Sequence, residues 1–275
     1  MRETGVLIVL RHGQSTANAA GLFTGVLDAP LSDQGIREAH TATVLLNLAL
    51  PGERPPTTGT GSPAMTTAPA PAPAAAPVTL FTSTLTRARQ TAAIVAAGLA
   101  RPPVGCGADW RLNEHNYGAL TGRSTDDVRA EFGEEQFVAW RRSVAEAPPA
   151  MGDLLYDEFA GTALFRALPA AALNRTEALS DVITRVDAFL TERVDPLLAR
   201  GETVLVVAHG NSLRALCAVI DGLSDGQIRD LNLPTGQPLV YRFDARGRPV
   251  PFGGRYLDSV TALAAALTLA NEGGT

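Results

Sequence analysis

Two short runs constrain this chain more than anything else in it. Residues 6–10 (VLIVL) and 203–208 (TVLVVA) are apolar and rich in β-branched residues, and each stops abruptly at His-Gly. The first ends in Arg11-His12-Gly13, the second in His209-Gly210-Asn211. An uninterrupted apolar run of this length predicts a strand buried on both faces, hence a parallel sheet covered by helices. In open α/β sheets the carboxyl ends of such strands are where ligands bind. Gly13 allows a sharp turn and a close approach to the backbone. Ser15, Thr16 and Asn18 follow with short polar side chains. Taken alone, a strand ending in a solvated Arg-His pair fits the first run equally well.

The 275 residues are 45% hydrophobic, enough for a sizeable core. The net charge of −5 gives no general attraction for nucleic acid, so any anion site must be a local cluster of cations. Every one of the 23 basic residues is arginine. Cys106 and Cys217 are far apart and show no metal-site or disulfide spacing. No apolar stretch approaches the ~18 residues of a membrane span. The opening run is too short for a secretion signal, so a cytoplasmic protein is expected.

The rest of the chain reads in order as follows. Ser32 or Asp33 caps a helix whose apolar face is Ile36, Ala39, Val44, Leu45 and Leu48. Residues 51–77 hold eight of the 19 prolines and predict a flexible Pro/Ala/Thr-rich insertion within a single 1–275 domain. A strand follows over 78–81, then a helix over 87–100 capped by Thr86. Arg87 stands at the start of that helix, where a cation opposes the helix dipole unless an anion lies between them. Residues 109–118 (DWRLNEHNYG) form an irregular segment with Glu114, His115 and Tyr117. A helix over 126–145 carries the adjacent Arg141 and Arg142. Residues 148–169 have no clear pattern. A long amphipathic helix spans 177–198, another spans 212–220, residues 240–243 form a last edge strand, and an alanine-rich helix covers 262–270.

If the strands are neighbours, Arg11, His12, Arg87 and His209 converge at one sheet edge. Cations and helix N-termini aimed at one point make a phosphate site. Two histidines raise a metal as the rival, but a zinc or iron site needs three or more ligands, and flanking arginines disfavour a dication. Neutral imidazole is a good nucleophile near pH 7. The arginines and the second histidine would offset charge on a transferring phosphoryl group. Glu114 would move the proton to or from the substrate oxygen.

Several motifs occur in order: RHGxSxxN at 11–18, FTG at 23–25, SxLxRAxxT at 83–91, RLNExxYGAL at 111–120, WRRS at 140–143, AHGNSLRAL at 208–216 and IRDLNLPTGQPLVYRFD at 228–244. Together they resemble the histidine phosphatase superfamily, and within it the cofactor-dependent phosphoglycerate mutases. The resemblance covers the chain except 51–77 and roughly 148–170. It implies an α/β fold with a doubly wound, mostly parallel sheet and helices on both faces. It implies His12 as the phosphorylated nucleophile, with Arg11, Arg87 and His209 around the phosphoryl oxygens and Glu114 as general acid and base. Ser15, Asn18, Thr24, Gly25, Gly210 and Asn211 match ligand-binding positions, and Tyr117, Arg141 and Arg142 match contacts to the glycerate end. It further implies 2,3-bisphosphoglycerate as priming phosphoryl donor, no metal, a small phosphorylated substrate, no nucleic-acid or membrane partner, and a homodimer or homotetramer.

Three positions depart from the mutase pattern. Thr125 stands where a lysine is usual, Leu22 where a basic residue is usual, and Gln14 where an acidic residue is usual. Arg123 lies two residues before Thr125 and could supply the charge. These departures keep open a second reading, a phosphatase or paralogous mutase acting on another small phosphoester or phosphonate. A third, a non-catalytic binder of phosphorylated ligands, conflicts with the intact His12, Glu114 and His209.

Overall fold

A computed structural model describes residues 5–50 and 76–271. The insertion expected over 51–77 lies, except for its last two residues, outside the described residues. Six strands form one sheet: β1 (Val6–Arg11), β2 (Val78–Thr82), β3 (Gly105–Ala108), β4 (Thr203–Ala208), β5 (Leu239–Arg242) and β6 (Arg255–Tyr256). Their order is β3-β2-β4-β1-β5-β6. The first four in that order are mutually parallel, whereas β5 pairs antiparallel with both β1 and β6. The fold is therefore α/β with a mostly parallel sheet, as the apolar runs predict.

Side-chain alternation sorts each strand between two cores. Ile8, Leu10, Leu80, Leu205 and Val207 pack under the helices Asp33–Ala49 and Thr86–Gly98. Leu7, Val9, Phe81, Val204 and Val206 face the helices Leu179–Phe189 and Gly210–Asp221. Leu7, Ile8, Val9 and Leu10 are all at most 1% exposed. At about 1.5–3 kcal/mol for each fully buried side chain, this one strand ties both cores together.

Register then sets up the site. Arg11 pairs with Ala208 and Thr82 with Val207. The residues that leave the sheet next, His12, His209 and Ser83, therefore emerge side by side. Behind them, Gly13 and Gly35 bring strand and helix into backbone contact. A Cβ at Gly13 would lie 2.2 Å from the Gly35 carbonyl oxygen, and one at Gly35 only 2.0 Å from that of Gln14. That approach sets which face the helix Asp33–Ala49 buries: Gly35, Ala39, Ala42, Thr43 and Leu46. The expected face is corrected accordingly, since Ile36, Val44 and Leu48 are exposed.

Other elements differ from expectation for local reasons. β3 (GCGA) has too few apolar residues to announce itself, and is made by pairing with β2. Thr86 is the first residue of its helix and makes no cap; its N–H and hydroxyl both donate to Asp28. The expected 177–198 helix is interrupted. Leu179–Phe189 is α-helical, Leu190–Val194 forms a π turn, and Asp195–Leu198 resumes. Pro196 lacks the N–H that would bond four residues back, so the ladder widens just ahead of it. The helix Thr125–Arg142 is kinked at Gly133, whose φ is 82°. Residues 148–169 hold two short helices, Asp153–Ala160 and Ala163–Arg166. The strand expected as an edge, β5, is flanked by β6. Among the described residues no helix is long and apolar enough to cross a membrane.

Candidate active site

His12 sits at the end of β1, 2% exposed. Its Nδ1 lies 2.6 Å from the Gly13 carbonyl oxygen, which can only accept, so Nδ1 carries the proton. The Nε2 lone pair is thereby left for chemistry, and it accepts from Arg87 Nε at 3.2 Å. Arg87 is fully buried at the first turn of its helix. Its other two nitrogens donate to the carbonyls of Leu27 (2.8 Å) and Gly25 (3.0 Å). Gly25 thus serves the site through its carbonyl. Thr91, one turn on, accepts from Gly13 N and donates to Arg87 O, joining the His12 turn to the Arg87 helix.

The His12 and His209 rings meet edge to face, with centroids 4.8 Å apart. Burial first, then the charges of Arg87 and Arg11, hold His12 well below the usual imidazole range. Burial, Arg87 and His12 do the same for His209. Both rings are therefore neutral, as a nucleophile and its neutral partner require. Arg11 donates from Nη1 to the Leu233 carbonyl at 2.8 Å. Among the described residues, Arg11 Nε and His209 Nδ1 are buried polar atoms with no hydrogen-bond partner. Two buried polar atoms without partners, on side chains that flank His12, leave room in this cluster for an anionic phosphoryl group.

Glu114 projects from the irregular 109–118 segment toward the start of the helix Gly210–Asp221. Its Oε1 accepts from His115 N (2.8 Å) and Asn211 N (3.1 Å). Gly210 and Asn211 are buried at that helix start, where N–H groups favour negative charge. A buried ion pair, Arg185–Glu177, brackets the segment. Arg185 donates to the carbonyls of Arg111 (2.6 Å) and Glu114 (3.3 Å), while Glu177 Oε2 accepts from Asn116 N (2.9 Å). Burial alone would raise the Glu177 carboxyl; Arg185 and the hydrogen bonds outweigh it and hold it below its usual value.

Arg214, fully buried, fixes the far wall. It donates to Ile228 O, Arg141 O and, at 2.8 Å, Asn211 Oδ1. Arginine is donor-only, so the amide oxygen of Asn211 must face it and Asn211 Nδ2 donates to Tyr117 Oη at 2.8 Å. The Tyr117 hydroxyl accepts there and keeps its own proton for the cleft.

The cleft is lined by Arg11, His12, Asn18, Thr24, Glu114, Tyr117 and Arg141, with Leu22 and Phe23 as its apolar side. The Arg141 guanidinium lies over the rings of Phe23 (5.5 Å) and Phe137 (5.2 Å). Arg142 does not line this cleft. Its guanidinium donates to the carbonyls of Arg229 and Leu231 and to Asn232 Oδ1. Ser15 caps the short helix Thr16–Ala19 and donates to Asn18 Oδ1, orienting Asn18. Thr125 donates to Gly21 O and Arg123 pairs with Glu131, so both are engaged at the rim. Ser83, Thr91, Glu177, Arg185 and Arg214 escape a reading based on residue type and spacing. Ser83 and Thr91 fall in the SxLxRAxxT pattern and Arg214 in AHGNSLRAL, but residue type and spacing do not show the partners that give these side chains their roles.

The histidine phosphatase superfamily (branch 1) profile matches residues 7–49, 64–160 and 155–250. The match runs through 148–170 and resumes at 64, so it is wider than the motifs alone indicate. The 2,3-bisphosphoglycerate-dependent phosphoglycerate mutase of Clavibacter sepedonicus is 42% identical over 274 residues, covering 99% of each chain. That of Corynebacterium diphtheriae is 40% identical over 270 residues, covering 98% of each. Among solved structures, Bacillus stearothermophilus YhfR superposes with a TM-score of 0.60 at 22% identity, covering 89% of this chain and 94% of that one. The Shigella flexneri alpha-ribazole phosphatase gives 0.58 at 20% identity, covering 89% and 93%. At that identity the superpositions speak to fold alone, while the full-length sequence matches speak to ancestry: the chain belongs to the histidine phosphatase superfamily, in its cofactor-dependent phosphoglycerate mutase branch.

Proposed function

We propose that this protein interconverts 2-phosphoglycerate and 3-phosphoglycerate through a phosphohistidine at His12, primed by 2,3-bisphosphoglycerate. The observation that carries the proposal is the state of His12: neutral, its Nδ1 proton committed to Gly13, and its Nε2 lone pair held by Arg87. In the transfer, His12 Nε2 forms a bond to phosphorus while the phosphorus–oxygen bond of the ester breaks. The leaving oxygen takes a proton from the Glu114 carboxyl. In return transfer to the other hydroxyl, Glu114 takes that proton back. Arg87 turns its Nε–H from the lone pair to the phosphoryl oxygens, joined by Arg11 and His209. Arg141, Tyr117, Asn18 and Thr24 hold the glycerate end, and 2,3-bisphosphoglycerate supplies the first phosphoryl group to the same nitrogen. A small phosphorylated acid as sole partner, action in the cytoplasm and a homo-oligomeric state accompany this reading.

A second reading draws on one part of the cleft. Leu22 lines it, and Thr125 and Arg123 are tied to Gly21 and Glu131 at the rim. A less cationic far end releases the monophosphorylated acceptor before the phosphoryl group returns to it, which leaves His12-phosphate to water and favours a phosphatase outcome. One assay separates the two. The purified protein is given 3-phosphoglycerate with and without 2,3-bisphosphoglycerate, and 2-phosphoglycerate and free phosphate are followed separately. Product isomer that depends on the bisphosphate supports the mutase; phosphate alone supports the phosphatase and overturns the first reading.

A further inference from the structure

Ser83 is fully buried where β2 ends, with its hydroxyl 2.6 Å from His209 Nε2. Leu85 N–H donates into the same oxygen at 3.2 Å. Among the described residues these are the hydroxyl's two partners. A hydroxyl has one hydrogen to give and two lone pairs to fill. If His209 carried its proton on Nε2, both neighbours of Ser83 Oγ would be donors, and the buried hydroxyl hydrogen would face no acceptor. Leaving such a group unsatisfied is costly. If instead the hydroxyl donates to Nε2, Ser83 is fully satisfied and the histidine proton sits on Nδ1. Nδ1 is the buried ring atom of His209 that has no partner among the described residues.

We propose that Ser83 is a positioning residue that sets the tautomer of His209. By donating to Nε2 it forces the proton onto Nδ1, so that His209 meets the phosphoryl group on His12 as a donor. The alternative tautomer would turn a lone pair toward that group, and lone pair against anion repels. His12 and His209 are then matched in opposite senses. Each carries its proton on Nδ1, but Gly13 O frees the Nε2 of His12 for attack, while Ser83 occupies the Nε2 of His209 and withdraws it from attack. Two adjacent neutral imidazoles are thereby given different tasks by one carbonyl and one hydroxyl. The functional half of this argument rests on His12 carrying the phosphoryl group; the tautomer itself does not.

The test uses the full chain labelled with 15N-histidine, free of ligand, at neutral pH. Two-bond proton–nitrogen correlations report which ring nitrogen is protonated, and the spectrum of His209→Gln assigns the resonances. The wild type is expected to show His209 as the Nδ1–H form; the Nε2–H form overturns the proposal whether or not any variant folds. Ser83→Ala is expected to populate the Nε2–H form, and Ser83→Thr to retain Nδ1–H; an unchanged tautomer in Ser83→Ala overturns it too. Inorganic phosphate is the binding probe. Ser83→Ala should weaken its affinity about tenfold and Ser83→Thr by no more than about twofold. A wild type that holds the Nδ1–H tautomer yet never phosphorylates His12 would strike the reading of function and leave the tautomer assignment standing.

Discussion

Arg87 donates from Nε to His12 Nε2 across 75 residues of sequence, and its two remaining nitrogens are fastened to the carbonyls of Leu27 and Gly25. A lysine has no fork that can satisfy three such acceptors. Arg87→Lys should therefore lower turnover by about 10²–10³, and His12→Ala should abolish acid-labile labelling by 2,3-bisphosphoglycerate. Quench-flow turnover and labelling check these. Labelling of His12→Ala at the wild-type level would remove His12 from its role.

The two adjacent arginines should separate cleanly. Arg141 lines the cleft, whereas Arg142 holds the carbonyls of Arg229 and Leu231. Arg141→Met should raise KM about 10- to 150-fold with little change in melting temperature. Arg142→Met should cost about 1–3 kcal/mol of stability by leaving those carbonyls unpaired. Steady-state kinetics and urea denaturation of both variants decide it, and equal effects on KM and stability would show the assignment to be wrong.

The bracket on the Glu114 segment is a buried ion pair, each partner about one-tenth exposed (9% and 8%). Arg185→Met leaves Glu177 buried without its counter-charge, so it should destabilise by about 3–5 kcal/mol. Adding Glu177→Gln should restore part of that. A double-mutant cycle by urea denaturation measures the coupling; strictly additive losses would mean the pair does not act as one unit.

Three of the four histidines, His12, His115 and His209, are buried and titrate below the usual 6.5. A histidine whose folded pKa is depressed binds its proton more readily when unfolded. Below about pH 6.5 the unfolded chain therefore takes up protons that the folded chain does not, and stability falls as pH falls. The slope approaches about 1.4 kcal/mol per pH unit for each such residue. Urea midpoints between about pH 6.5 and about pH 4.5 isolate the histidines from Glu177, whose stabilising contribution is lost only as pH falls below its unfolded value of 4.5. A flat profile across that window would contradict the burial of these rings.

Thr125 lies at the rim and donates to Gly21 O. Thr125→Lys adds a cation there and should lower KM for 3-phosphoglycerate about tenfold if the missing charge limits binding. An unchanged KM would assign the substrate preference elsewhere.

How much of this could be read from residues alone follows from where each residue's partners lie. β1 and β4 announce themselves because a buried parallel strand needs an unbroken apolar run. The shared His-Gly ending brings His12 and His209 together once the register is known. β3 does not announce itself, because Gly105 and Gly107 pack no side chain and the strand exists by pairing with β2. Arg142 looks like a clamp next to Arg141, but a helix turns adjacent residues about 100° apart, which sends one to the cleft and the other to carbonyls. The roles of Arg185, Arg214 and Ser83 stay hidden because a buried donor is identified by its acceptor, and here the acceptors are backbone carbonyls, side-chain oxygens and an imidazole nitrogen that the fold brings in.

The contact between Gly13 and Gly35 has a mechanical corollary. With no side chain between them to act as a cushion, the peptide after the nucleophile and the helix Asp33–Ala49 must travel as one body. Whatever yields to admit a substrate has to come from the opposite bank, where Leu22, Thr24 and Arg141 stand. Methyl groups grafted at Gly13 or Gly35 would pry that rigid seam apart and misaim His12 without touching any residue that meets the ligand.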